Sequence, residues 1–143
     1  MNISQILFLL NALIMLLVSL IHFYWASGGR WGAAAVIPQI NPEKRVFMPS
    51  PLATVIVAVP FLLISLIFVQ AAGMFHFQFV TIYQSELLLF LVAVFAIRAL
   101  GDFKYFGFFK KILNTEFAKN DTKYFTPLCA FIALSVLLAV YFS

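Results

Sequence analysis

Charge is scarce in this sequence. Only 10% of its 143 residues are Asp, Glu, Lys or Arg, against about 25% in an ordinary soluble domain. Apolar residues make up 64%, and the mean hydropathy is +1.06. A chain this short lacks the interior volume to hide so much apolar surface. In water the excess would form large exposed patches and aggregate. A soluble globular enzyme is therefore excluded. So is a disordered chain, which needs low hydrophobicity and high net charge. Cysteine is nearly absent too. Cys129 alone makes no internal disulfide and builds no zinc or iron–sulfur site. There is no Gly-rich nucleotide loop, no internal repeat and no low-complexity stretch. No charge ring or filter sequence speaks for an ion channel. None of the five acids is central in an apolar segment, as a small proton-driven exporter requires.

What is present is four long apolar segments. A helix crossing the hydrocarbon core needs about 20 mainly apolar residues. The segments at 3–26, 51–72, 84–100 and 124–142 meet that need. The first carries His22 and ends at Gly28 and Gly29, a helix-stop signal. The second opens with Ser50-Pro51, a cap followed by proline at the first helical position. Pro60 lies inside it and should free the carbonyl of Ile56 and kink the helix. The third ends at Gly101. The fourth opens with Thr126-Pro127, the same cap-plus-proline signal. The expected fold class is all-α: one polytopic membrane domain over 1–143, with four transmembrane helices.

The nine basic residues are not spread evenly. Arg30, Lys44 and Arg45 fall between the first two segments. Arg98, Lys104, Lys110, Lys111, Lys119 and Lys123 fall at or after the end of the third. The two ends of the chain and the loop at 73–83 have none. Cytoplasmic loops carry the Lys/Arg excess. Loops one and three should thus be cytoplasmic and both termini periplasmic, in a bacterial inner membrane. A cleaved signal peptide is not expected, because no basic region precedes the first apolar segment and that segment is too long. The basic residues adjoin the membrane, so the pI of 9.4 does not argue for nucleic-acid binding.

Unusual residues gather on this basic side. The end of segment one reads His-x-Tyr-Trp-Ala-x-Gly-Gly-x-Trp-Gly from His22 to Gly32. After segment three the chain reads Gly-Asp-Phe-x-Tyr-x-Gly-Phe-Phe-Lys from Gly101 to Lys110. Before segment four it reads Asp-Thr-x-Tyr-x-x-Pro-Leu-Cys from Asp121 to Cys129. Together these blocks resemble a family of small bacterial four-span membrane proteins known only as a domain of unknown function. The resemblance covers nearly the whole chain. It implies an inner-membrane four-helix protein and no established activity.

The residues can also be weighed on their own. Arg98 lies about one turn inside the end of segment three, where snorkelling lowers the cost of its charge. Asp102 is four residues on, close enough on a helix to pair with it. Ser19, His22 and Trp25 share a helical stripe at similar depth. A cluster of His22, Arg98 and Asp102 across segments one and three is expected on this geometry. The plain reading is helix glue and topology anchoring. The sharper one is a binding site for a headgroup, phosphate or carboxylate, built from His22, Arg30 and Arg98, with Tyr24, Trp25 and Trp31 around it and Asp121 and Tyr124 on the same rim. No nucleophile motif accompanies these residues, so no catalytic residue is named.

Phe103 to Leu113 repeats its aromatics at helical spacing, with lysines on the other side. It is expected as a short interfacial helix in the third loop. Trp31 to Ile37 is a second, shorter interfacial segment, and Gln39 to Pro49, with Pro42 and Pro49 around Glu43-Lys44-Arg45, reads as a loop. On the far side lie His76 and Glu86; the acid suits the start of a helix. His22 and His76 sit at opposite membrane faces and cannot share a haem. No cofactor or metal is expected. Three functions are compatible with these residues. One is a lipid- or amphiphile-binding protein supporting envelope integrity. Another is a small membrane enzyme or transporter for a hydrophobic substrate, working through His22, Arg98 and Asp102, or Glu86. The last is an accessory subunit of a membrane complex. The expected partners are membrane lipids, a hydrophobic small molecule or a second copy of the chain, and not nucleic acid.

Overall fold

The structure, a computed structural model, describes residues 1–41, 44–45 and 47–143, with only the backbone course of residues 44 and 45. The chain is mostly helical. Helix α1 (Ile3–Ala26) starts in a capping box: Asn2 Oδ1 accepts from the Gln5 N–H at 2.8 Å, and Gln5 Oε1 accepts from the Asn2 N–H at 3.0 Å. Helix α2 (Ala33–Val36) is a single turn inside the expected interfacial segment. The segment read as a loop contains a short antiparallel pair, β1 (Gln39–Asn41) and β2 (Lys44–Arg45), with Gln39 opposite Arg45. Pro42, Glu43 and Val46 lie outside the described residues. Helix α3 (Pro51–Ala71) is capped by Ser50, whose Oγ accepts from the Ala53 N–H at 3.2 Å. A short α4 (Gln78–Ile82) leads into α5 (Gln84–Leu100).

The last helix starts earlier than the cap-plus-proline signal predicts. It runs continuously from Glu116 to Tyr141, as α6 (Glu116–Asn120), a π turn (Asp121–Phe125) and α7 (Thr126–Tyr141). Its N-cap is Thr115, whose Oγ1 accepts from the Ala118 N–H at 3.1 Å. Pro127 is the reason for the π turn. An α-helix would ask residue 127 to donate to the carbonyl of residue 123, and proline has no N–H and clashes there. The Thr126 N–H reaches back five residues to the Asp121 carbonyl instead, which widens the turn around the ring.

The expected interfacial helix at Phe103 to Leu113 does not form among the described residues. Asp102 takes the local N–H groups first. Its Oδ1 accepts from the backbone of Lys104, Tyr105 and Phe106 at 2.9, 2.7 and 3.1 Å. A carboxylate that captures consecutive N–H groups competes directly with helix bonding. Gly101, Phe103 and Gly107 are left-handed, which no helix tolerates. The loop then returns to α5, with the Phe108 N–H bonding the Ala99 carbonyl at 2.8 Å.

Helix α1 packs along α3, α5 along α7, and α1 against α7, giving the order α3–α1–α7–α5. The row curls, so Phe8, Phe68, Leu88, Leu91, Ile132 and Val136 meet in one core drawn from all four helices. Polar side chains tie the interior together. Ser65 Oγ donates to the Ala12 carbonyl at 2.8 Å and Ser19 Oγ to the Ala58 carbonyl at 2.9 Å, within a turn of Pro60. The Asn11 amide donates to Ser135 Oγ at 2.9 Å. Outside, Leu13, Leu17, Ile56, Leu63, Phe90, Ile97, Leu134 and Leu138 are exposed. Polar groups inside and bare aliphatics outside mark a surface built for lipid. Three helices are long and apolar enough to cross a membrane: α1, α3 and the helix Glu116–Tyr141. Helix α5, at 17 residues, is not one of them.

Candidate functional site

The site lies where the C-terminal end of α1, the N-terminal end of α3, the C-terminal end of α5 and the π turn come together. Its centre is Asp121, fully buried in the π turn. Four donors converge on the carboxylate. Arg98 Nη2 donates to Oδ1 at 2.7 Å. Lys110 Nζ at 3.0 Å, the Gly107 N–H at 2.9 Å and Thr126 Oγ1 at 2.9 Å all donate to Oδ2. Lys110 Nζ also donates to the Gly107 carbonyl at 3.0 Å. Gly107 reaches Asp121 because it lies directly against Gly101, where a Cβ on either residue would strike the other strand of the loop. A buried carboxylate is tolerable only when paired and fully hydrogen-bonded, and Asp121 is both.

The expected Arg98–Asp102 pair is therefore replaced by Arg98–Asp121. Asp102 is exposed and spends its carboxylate on its own loop. Burial pushes its pKa up, but the N–H groups of Lys104, Phe106 and Tyr105 more than offset that and hold it below the usual aspartate value. Arg98 is held further by the Phe106 ring, whose centroid is 4.4 Å from the guanidinium carbon. Its Nη1 is buried and has no hydrogen-bond partner among the described residues.

Beside this hub is a chamber of about 550 Å³. Val18, His22 and Trp25 of α1, Val57 and Phe61 of α3, Phe95 and Arg98 of α5, and Phe117, Leu128 and Cys129 of the last helix are among its walls. Its volume falls inside the range of small-molecule sites, about 300–1,000 Å³. The wall is apolar apart from a few groups, Arg98 and His22 among them. His22 Nδ1 is 2.7 Å from the Val18 carbonyl. A carbonyl only accepts, so Nδ1 carries the proton and Nε2 is the ring's other face to the surroundings. The ring packs edge-on to Trp25 at 5.0 Å and against Phe61 at 5.3 Å. Trp25 in turn donates from Nε1 to the Trp31 carbonyl at 2.8 Å, which folds the chain after α1 back over the chamber.

A family model matches residues 15–136, most of the chain. The chain belongs to the DUF3995 family, described as a protein of unknown function. No curated protein and no solved structure matches it. The DUF3995 match takes in every residue of the hub and the ionisable residues of the chamber.

Of the residues singled out in this DUF3995 sequence, the structure brings His22, Trp25 and Arg98 to the chamber and joins Asp121 to Arg98. It does not bring the others there. Arg30 is exposed, and Trp31 is 76% exposed and bonds through its backbone. Tyr24 lies against Gly29, in space that a Cβ would fill. Tyr124 points outward under Lys123, 4.9 Å from its ring centroid. Lys110, Gly107 and Thr126 were not foreseen. Lys110 shares the helical spacing of Phe103, Phe106 and Phe109 in the sequence, yet it is buried against Asp121. The one sequence signal for them is Pro127, which forces a π turn at Asp121, and π turns recur at functional sites.

Proposed function

We propose that this protein is a four-span membrane protein that holds a hydrophobic or amphiphilic molecule in the chamber between α1, α3, α5 and α7. The observation that carries this reading is the chamber itself: about 550 Å³, apolar, with Arg98 and His22 placed in its wall. Apolar pockets with a few convergent polar groups are the usual form of a ligand site. Helix α5 supplies the fourth crossing. Seventeen residues reach about 26 Å, and the lower limit for a span is about 17 residues. Leu89, Phe90, Val94 and Ile97 give it an exposed apolar face, and Arg98 in its last turn can snorkel. The basic residues all adjoin the chamber end of the helices. By the positive-inside rule that end is cytoplasmic; in the bacterial inner membrane that the resemblance of the rim motifs implies, both termini are then periplasmic.

Two measurements test the reading. Reporter fusions at Met1 and Ser143 should both report the periplasm; three crossings would put them on opposite sides. Native mass spectrometry of the gently purified chain should show a retained small amphiphile. Cys129 then gives the location, because it is the chain's one cysteine and lines the chamber. Occupancy should slow its alkylation by N-ethylmaleimide. A chain that retains nothing, and whose Cys129 no hydrophobic probe protects, would overturn the assignment.

A further inference from the structure

The hub beside the chamber is short of negative charge. Arg98 and Lys110 are two cations on one carboxylate, Asp121. The Lys110 side chain is 3% exposed and that of Asp121 0%, so the surplus rests on Arg98, whose side chain is 29% exposed. No other acid among the described residues makes an ion pair here. Asp102 is committed to its own loop, and Glu116 is exposed at the start of α6. Glu86 is in the first turn of α5, at the other end of that helix from Arg98. The surplus coincides with an unmet bond: Arg98 Nη1 is buried with no partner among the described residues, and Arg98 lines the chamber. A buried charged donor without an acceptor is costly, and such groups ordinarily find one.

From this we infer that the chamber's occupant is an anionic single-chain amphiphile. Its acidic oxygen accepts from the Arg98 guanidinium, and its hydrocarbon chain lies among Val57, Phe61, Phe95 and Leu128. The inference rests on the chamber being a ligand site. The head needs an oxygen anion because a guanidinium pairs best with the fork of a carboxylate or phosphate. It also needs to be small, since Arg98 already gives Nη2 to Asp121 and one face to Phe106. One chain fits and two do not: at about 30 Å³ per water-sized group, the volume holds roughly eighteen such groups. Fatty-acid carboxylates and the phosphate of a monoacyl lipid share this chemistry.

The test uses the full chain in phosphatidylcholine nanodiscs and reads the rate of Cys129 alkylation by N-ethylmaleimide. The probes are palmitate, dodecyl phosphate and the uncharged hexadecanol. An anionic probe should protect Cys129 at a concentration at least tenfold below that for hexadecanol. Protection by palmitate alone assigns a carboxylate head, and protection by dodecyl phosphate alone a phosphate. Arg98→Gln should raise the protecting concentration of the anionic probes to that of hexadecanol. Because the wild-type comparison of acid with alcohol stands alone, a poorly folding variant does not remove the test. Equal protection by palmitate, dodecyl phosphate and hexadecanol would overturn the anionic head and leave the chamber reading intact. Absence of protection by all three would overturn both.

Discussion

Arg98, in the last turn of α5, donates to Asp121 in the π turn at 2.7 Å, across 23 residues of chain. This bond joins α5 to the last helix. It places a cation at the wall of an otherwise apolar chamber, and it draws the intervening loop inward, since Gly107 and Lys110 bond the same carboxylate.

Removing the carboxylate should therefore cost more than removing either cation. Asp121→Asn strands the buried Lys110 and the part-exposed Arg98 and should destabilise the fold by about 3–5 kcal/mol. Lys110→Met leaves a balanced Arg98–Asp121 pair and should cost clearly less. Thermal unfolding in mild detergent would compare them; the reverse order would contradict a hub with surplus positive charge.

The loop depends on two glycines in contact. Gly101 (φ +98°) and Gly107 (φ +88°) hold left-handed backbone with no room for a Cβ. Gly28 (φ +99°) has the same sign of φ but open space around it. Gly28→Ala should cost only backbone strain, about 1–3 kcal/mol. Gly101→Ala should exceed it and also expose Lys110 to amine-reactive labelling. Equal losses at Gly28 and Gly101 would argue against the close contact.

Within the helices, Asn11 and Ser135 are bonded at 2.9 Å in the buried interface between α1 and α7. A double-mutant cycle with Asn11→Ala and Ser135→Ala should give a coupling near 0.6 kcal/mol and no more than about 1.7 kcal/mol, as for other interhelical hydrogen bonds in membrane proteins. Zero coupling would mean that the two helices do not meet in this register.

Asp102 makes stability depend on pH. Its folded pKa lies below the unfolded value because the N–H groups of Lys104, Phe106 and Tyr105 outweigh the opposing effect of burial. Its contribution is thus complete above the unfolded value of about 3.9 and is lost as pH falls through the folded value. Asp102→Asn keeps an acceptor but not the charge. The gap in melting temperature between wild type and this variant should be constant from pH 6 to 5 and close below pH 4. A gap that widens on acidification would reverse the assigned direction.

Much of this protein is legible from local signals. The caps at Asn2 and Ser50 act within a few residues, and so does the stop at Gly101. Hydropathy marked the apolar segments because lipid contact depends only on what each residue presents outward. The third loop was misread for the same reason. Phe103 to Leu113 has helical spacing, but spacing carries no information about Asp102 capturing three N–H groups or about Gly101 meeting Gly107.

The sequence by itself determined a helical membrane chain and gathered its basic residues at one end, because hydropathy and charge are properties of each residue and its near neighbours. Only the tertiary structure decided which acid serves Arg98. Asp102 was four residues away and Asp121 twenty-three, yet the distant one wins. The packing of α5 along the last helix, with a π turn imposed by Pro127, brings Arg98, Gly107, Lys110 and Thr126 to one buried carboxylate. The same packing leaves the chamber beside them, with the Arg98 guanidinium in its wall.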